Sequence, residues 1–227
     1  MKQIVPEYRG ILRHHFIEVP EVIHEASGIR FFGRRIRSLV FSTDSAIIRN
    51  VNADAVIAVY PFTPQPAITH AVMVAADMPV FAGVGGGVTR GPRVINLAMD
   101  AEFRGATAVV VNAPTENAII AQLKKTIDIP VVVTVVSEQT DIQARLDSGT
   151  DMLNVSGASR TPEIVAAIRS RFPDVPIIAT GGPTDETILK TIRAGANAIT
   201  YTPPSSGELF RISMDKYRDA QAGVADV

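Results

Sequence analysis

Asp44 closes the stretch SLVFSTD (38–44), and Glu138 closes VTVVSE (133–138). A carboxylate just past an apolar run sits on a rigid base near solvent, and two of them can divide a proton transfer between general base and general acid. Asp44 has a plainer use too: Ser45 opens a helical stretch, and aspartate is a good N-cap. GVGGG (83–87) puts four glycines in five residues. Such a backbone can turn its N–H groups onto an anion, with Arg90 and Arg93 close by to add charge. Gly181-Gly182, with Ser205 and Ser206 after the next apolar run, offers a second set of donors, or simply a tight turn. Pro203 and Pro204 have no N–H to give there. Asn112 and Asn154 lie at the end of, or inside, apolar runs, where an amide needs a partner from protein, water or ligand. The candidate catalytic pair is thus Asp44 and Glu138. The candidate binding set is Gly85, Gly86, Gly87, Arg90, Asn112, Asn154, Gly181, Gly182, Ser205 and Ser206.

The elements that must hold these residues repeat along the chain. Asp-x-Pro precedes an apolar run at DMPVF (77–81), DIPVV (128–132) and DVPII (174–178). Between these fall NADAVIAV (52–59), GATAVVVN (105–112), GTDMLNV (149–155) and GANAIT (195–200), each opening a strand after a helical stretch. The period of roughly 45–50 residues holds two strand–helix units. With SLVFSTD as the first, the pattern predicts eight strands, near 38–43, 55–60, 79–84, 107–112, 130–136, 151–155, 176–180 and 197–202, separated by helices of about ten residues. Alternation of this kind predicts an α/β fold, a single (β/α)8 TIM barrel; an open doubly wound sheet is the rival. PVFAGVGGGVTRGPRV…FRGATAVVVNAPT (79–115) parallels PIIATGGPTDETI…IRAGANAITYTPPS (176–205), so an internal half-barrel repeat is expected. Residues 1–37 form an N-terminal extension, with a short helix in PEVIHEASG and a turn or hairpin in IRFFGRRIR covering the lower mouth; 38–227 form the barrel and a C-terminal helix. Function is expected at the carboxyl ends of the strands, with the two glycine loops on opposite sides of one mouth.

Absences narrow the chemistry. The chain has no cysteine, which removes thiol nucleophiles, disulfides and thiolate metal sites together. All five lysines (Lys2, Lys124, Lys125, Lys190, Lys216) lie at the terminus or on predicted helices, which disfavours Schiff-base chemistry. His14, His15, His24 and His70 are in the prefix or on a helix, so no metal site of strand-end histidines is expected. The expected cofactor is none, with magnesium held by Asp44, Glu138 and a substrate phosphate as the alternative. A net charge of −1 points to neither nucleic acid nor an anionic membrane, and Arg30, Arg34, Arg35 and Arg37 read as a solvated face or a subunit contact, leaving a homo-oligomer open. No apolar run spans a bilayer and the N-terminus lacks a signal-peptide core, so the chain reads as cytoplasmic.

Through ATGG (179–182) and AGANAI (194–199) the chain resembles the aldolase-type and ribulose-phosphate-binding barrels, which implies a phosphate corner at the ends of the last two strands. With acids at the ends of the first and fifth strands it is similar to the histidine-biosynthesis isomerase and cyclase barrels, which implies catalytic roles for Asp44 and, loosely, Glu138. FSTDSAIIRNVNADAVIAVYPFTPQP and ATGGPTDETI resemble a group of short bacterial barrels labelled hydrolase, although no hydrolytic constellation stands out. The expected function is acid–base chemistry, isomerase or lyase, on a phosphorylated small molecule such as a sugar phosphate. The alternatives are a non-catalytic sensor of such a molecule and a hydrolase.

Overall fold

The computed structural model describes residues 17–222 and Pro6, which leaves most of MKQIVPEYRGILRHHF, with His14 and His15, outside the described residues. A 3-10 turn, Glu21–Glu25, precedes a hairpin of β1 (Ile29–Phe31) and β2 (Arg34–Ile36), paired antiparallel. Strand and helix then alternate: β3 (Ser38–Phe41), α1 (Ser45–Arg49), β4 (Ala55–Ala58), α2 (Pro66–Ala75), β5 (Val80–Gly85), α3 (Pro92–Phe103), β6 (Ala108–Val111), α4 (Asn117–Thr126), β7 (Val131–Val135), α5 (Ile142–Asp147), β8 (Met152–Val155), α6 (Thr161–Arg171), β9 (Ile177–Thr180), α7 (Asp185–Arg193), β10 (Ala198–Tyr201) and α8 (Ser206–Ala222). Strands β3 to β10 pair in parallel, each with its sequence neighbours. β10 returns to β3 through Ile199 opposite Ser38 and Tyr201 opposite Val40, which closes the barrel. The open-sheet rival is excluded.

Both faces of these strands are covered, so they read as continuous apolar runs such as AVVV in β6 and VVVTV in β7. Their inward positions (Leu39, Ile57, Phe81, Val110, Val132, Ile178) form the barrel core, and Phe31 and Ile36 of the hairpin join it from below. Phe31 meets Phe81 edge-on at 5.0 Å and 80°. The outward positions pack under the helices.

The repeated motifs work at the end opposite the mouth. The carbonyls of Pro79, Pro130 and Pro176 accept from the N–H groups of Val56, Val109 and Leu153 at 2.8, 3.0 and 3.0 Å. Proline suits a strand's first position because the N–H it lacks is not needed there. The polar residue opening the following strand binds back. Asp54 Oδ2 accepts from the Arg37 and Ser38 N–H groups at 2.7 and 3.0 Å, Asp151 Oδ2 from Val131 at 2.9 Å, and Asn197 Oδ1 from Ile177 at 2.9 Å. These residues fix the barrel's floor and touch no candidate site. No helix among the described residues is long and apolar enough to cross a membrane.

Candidate functional site

The loops after the strands gather at the carboxyl end. β3 and β7 stand opposite each other in the barrel order, as do β5 and β9, so both candidate acids and both glycine loops share one mouth. Their surroundings differ.

Asp44 is a helix cap. Its Oδ1 accepts from Ala46 N–H at 2.8 Å and Ile47 N–H at 3.3 Å, and its Oδ2 accepts from the Ser206 hydroxyl. The Ser206 hydrogen bond holds the carboxyl below its usual range, with the two backbone donors adding to it and partial burial opposing. A carboxylate so engaged is a poor proton acceptor. Glu138 stands as far past β7 as Asp44 past β3, but the β7–α5 loop is longer, and capping passes to Asp141, whose Oδ1 accepts from Ala144 N–H at 3.0 Å. Glu138 turns to the rim, 39% exposed, and pairs with Arg160 at 2.6 Å. The two acids therefore do not form the open pair that the sequence suggested.

At the β9–β10 corner the glycines serve packing. A Cβ on Gly181 would lie 2.7 Å from Ile199 Cγ2, and Gly182 takes φ +87° against Thr187, so a tight turn into α7 accounts for both. The serine donors are spent on the chain's own acids. Ser205 donates its N–H and hydroxyl to Glu208 Oε2 at 2.8 and 2.7 Å, and Ser206 donates to Asp44. Two carboxylates thus stand where a phosphate was expected, and like charge disfavours a second anion beside them.

The β5 corner is open. A cavity of about 190 Å³ lies over β4, β5 and β6, lined by Tyr60 to Pro64, Gly83, Gly85, Gly87 to Thr89, Val110 and Asn112. Gly85 (φ +132°) and Gly86 (φ +95°) are fixed by the fold, because a Cβ on Gly86 would collide with Thr115 Oγ1 and the Asn112 backbone. Gly87 is different: a Cβ there would meet only Asn112 Nδ2, at 4.0 Å, so its bareness leaves room in the cavity. Arg90 Nε donates to Gly87 O at 2.8 Å and steadies the loop from outside. Arg145 does the same for the next loop, donating to the carbonyls of Thr115 and Ala113 and to Asn117 Oδ1; burial pushes its guanidinium pKa down. Asn154, across the barrel, bonds Thr134. The sequence reading left the roof out of the site. Prolines 61, 64 and 66 stiffen AVYPFTPQP, and the Tyr60 hydroxyl accepts from Gln65 N–H at 2.8 Å, keeping its own proton to donate. Three prolines next to a tyrosine beyond a strand was the available signal. No carboxylate, histidine, lysine or arginine lines this cavity, and Tyr60 carries its one ionisable side chain. Among the described residues no three His, Cys, Asp or Glu side chains gather closely enough to hold a metal ion.

No protein-family model and no curated protein matches the chain. Solved structures do. A phosphonopyruvate hydrolase in complex with oxalate and Mg is 15% identical, with 85% of this chain and 83% of that one covered and a TM-score of 0.59. A phosphoenolpyruvate phosphomutase from Streptomyces platensis subsp. rosaceus is 13% identical, over 83% and 82% of the two chains, at 0.59. A mandelate oxidase is 15% identical, over 78% and 68%, at 0.60. The ribulose-phosphate-binding branch that ATGG and AGANAI suggested is not among these three. At such identities the likeness is one of fold, and the named reactions differ among themselves. What it establishes for this chain is the (β/α)8 barrel fold.

Proposed function

We propose that this barrel binds a small phosphorylated molecule at its mouth, with the phosphate seated by the Gly87 loop and Asn112, and that it acts as a binding protein rather than through an Asp44–Glu138 acid–base pair. The observation that carries this is the neutral β4–β6 cavity, whose lining combines glycine backbone, the Asn112 amide and Tyr60 and includes no carboxylate. Its 190 Å³ is below the roughly 300–1,000 Å³ typical of drug-sized ligands and suits a small metabolite. Two fold neighbours, one named for a phosphonate and one for a phosphate ester, support the ligand class. Thermal shift and calorimetry against inorganic phosphate, phosphonates and sugar phosphates test it. Binding should occur and should weaken at least about tenfold in Asn112→Leu. If no phosphorylated compound binds, or if Asn112→Leu leaves affinity untouched, the assignment is wrong.

An isomerase, lyase or hydrolase is the second reading, favoured by neighbours that are a mutase and a hydrolase. It requires Asp44 to leave its helix and Ser206, or the Tyr60 hydroxyl to act as the acid. The magnesium of the hydrolase complex has no ready counterpart here, because Asp44 and Glu138 are engaged elsewhere and, among the described residues, no third ligating side chain joins them. Turnover of a bound phosphate compound, with loss in Tyr60→Phe, would favour this second reading.

A further inference from the structure

The inward face of the barrel changes character as it nears the mouth. Along a strand, alternate side chains face the interior and the helix layer. Val133, Val135, Leu153 and Val155 pack outward, as do Ala179 and Ile199. Thr134, Asn154, Thr180 and Thr200 therefore face inward, one step above the core residues Val132, Met152, Ile178 and Ala198. Four consecutive strands, β7 to β10, thus switch from apolar to neutral polar side chains at the same level.

These groups do not satisfy one another. Asn154 Nδ2 reaches Thr134 Oγ1 at 3.4 Å and Thr180 Oγ1 reaches Ser156 Oγ at 3.3 Å, both long for such bonds. Thr200 is 7% exposed, and its hydroxyl has no partner. Buried hydroxyls are seldom left so, and valine would fill the same space without the cost.

We propose that Thr134, Asn154, Thr180 and Thr200 form a second subsite, which reads the hydroxyl groups of an uncharged, polyhydroxylated part of the ligand. This rests on the reading above in one respect: the ligand's phosphate lies across the mouth, at Gly87 and Asn112. Hydroxyl and amide groups can both donate to and accept from vicinal hydroxyls. A second carboxylate or phosphate on the ligand would lose its hydration against this wall with no counter-charge to offset the loss. Thr134, Thr180 and Thr200 thus become specificity residues, and they favour a ligand with one anionic end.

The test uses Thr200→Val, close to isosteric, with Asn154→Leu as a second variant. The probes are inorganic phosphate, three- to six-carbon sugar phosphates, unphosphorylated ribitol and phosphonoacetate. Thr200→Val should melt about 2–4 °C higher, because it removes an unpartnered buried hydroxyl, yet bind the best sugar phosphate about three- to tenfold more weakly. Its affinity for inorganic phosphate should not change. If phosphates bind but both variants keep full affinity for every sugar phosphate, the subsite is refuted and the phosphate seat stands. Tighter wild-type binding of phosphonoacetate than of any sugar phosphate refutes the subsite as well. If ribitol binds and Thr200→Val weakens it while inorganic phosphate does not bind, the subsite stands and the phosphate seat fails. No binding by any probe overturns both.

Discussion

A carboxylate's use depends on which donors already hold it, and Asp44 has three: two backbone N–H groups of its own helix and the Ser206 hydroxyl. Losing a cap of this kind costs about 0.5–2 kcal/mol, and the tie to α8 goes with it. Asp44→Ala should therefore lower the melting temperature by about 2–6 °C, while Asp44→Asn keeps most of the cap and leaves phosphate affinity within twofold. The pH dependence follows from the direction of the shift. The folded pKa lies below the unfolded one, so Asp44's contribution is fully present above the ordinary aspartate range near 4 and is lost as pH falls through the folded value. Between pH 5 and pH 2 the wild type should lose more stability than Asp44→Asn, as thermal melts across that range would reveal. Turnover that collapses in Asp44→Asn with binding intact would instead restore the acid–base enzyme. The sequence offered both cap and catalyst for this residue. It could not choose, because the deciding hydroxyl lies 162 positions further along the chain.

At the scale of elements, what the sequence showed well was what local chemistry determines. The Asp-x-Pro phrases mark strand starts because proline carbonyls begin each ladder, and the strands fall within two residues of their expected starts. Helix lengths were less legible. About ten residues were expected throughout, but α1 runs only Ser45–Arg49 and α5 Ile142–Asp147, since a helix end is set by what it must span in the closed barrel. The glycine runs were least legible, because composition cannot tell a glycine the backbone needs from one a ligand needs. Adjacent substitutions separate them. Gly86→Ala must accept φ +95° and a collision with Thr115, and should cost about 2–4 kcal/mol in urea unfolding. Gly87→Ala meets only the Asn112 amide and should cost under about 1 kcal/mol, yet weaken phosphate binding by filling the cavity. Equal stability loss in the two would mean that Gly87 too is structural, and that the cavity wall has been misassigned.

Over the whole molecule, the half-barrel correspondence does not extend to the site. β5 and β9 face each other across the mouth and each leads into a glycine turn, which is the layout for gripping an anion at both ends. The β9–β10 corner is filled from within. Glu208 takes the Ser205 donors, whose hydroxyl and N–H hold its carboxyl below the usual range, and Asp44 takes Ser206. Fixed negative charge on one side and none in the opposite cavity make the mouth polar across its width. A ligand with a single anionic end should orient accordingly, anion toward β5 and neutral end toward β9. A second phosphate would be driven against Glu208 and Asp44, where like charge disfavours it. Bisphosphorylated sugars should therefore bind no tighter than the matching monophosphates, and calorimetry should report one phosphate site per chain. Glu208→Gln should narrow any penalty for the second phosphate without altering monophosphate affinity. A bisphosphate that binds the wild type tenfold tighter would show that the serines can be recruited from their carboxylates, and the symmetric two-anion mouth would then be the working form.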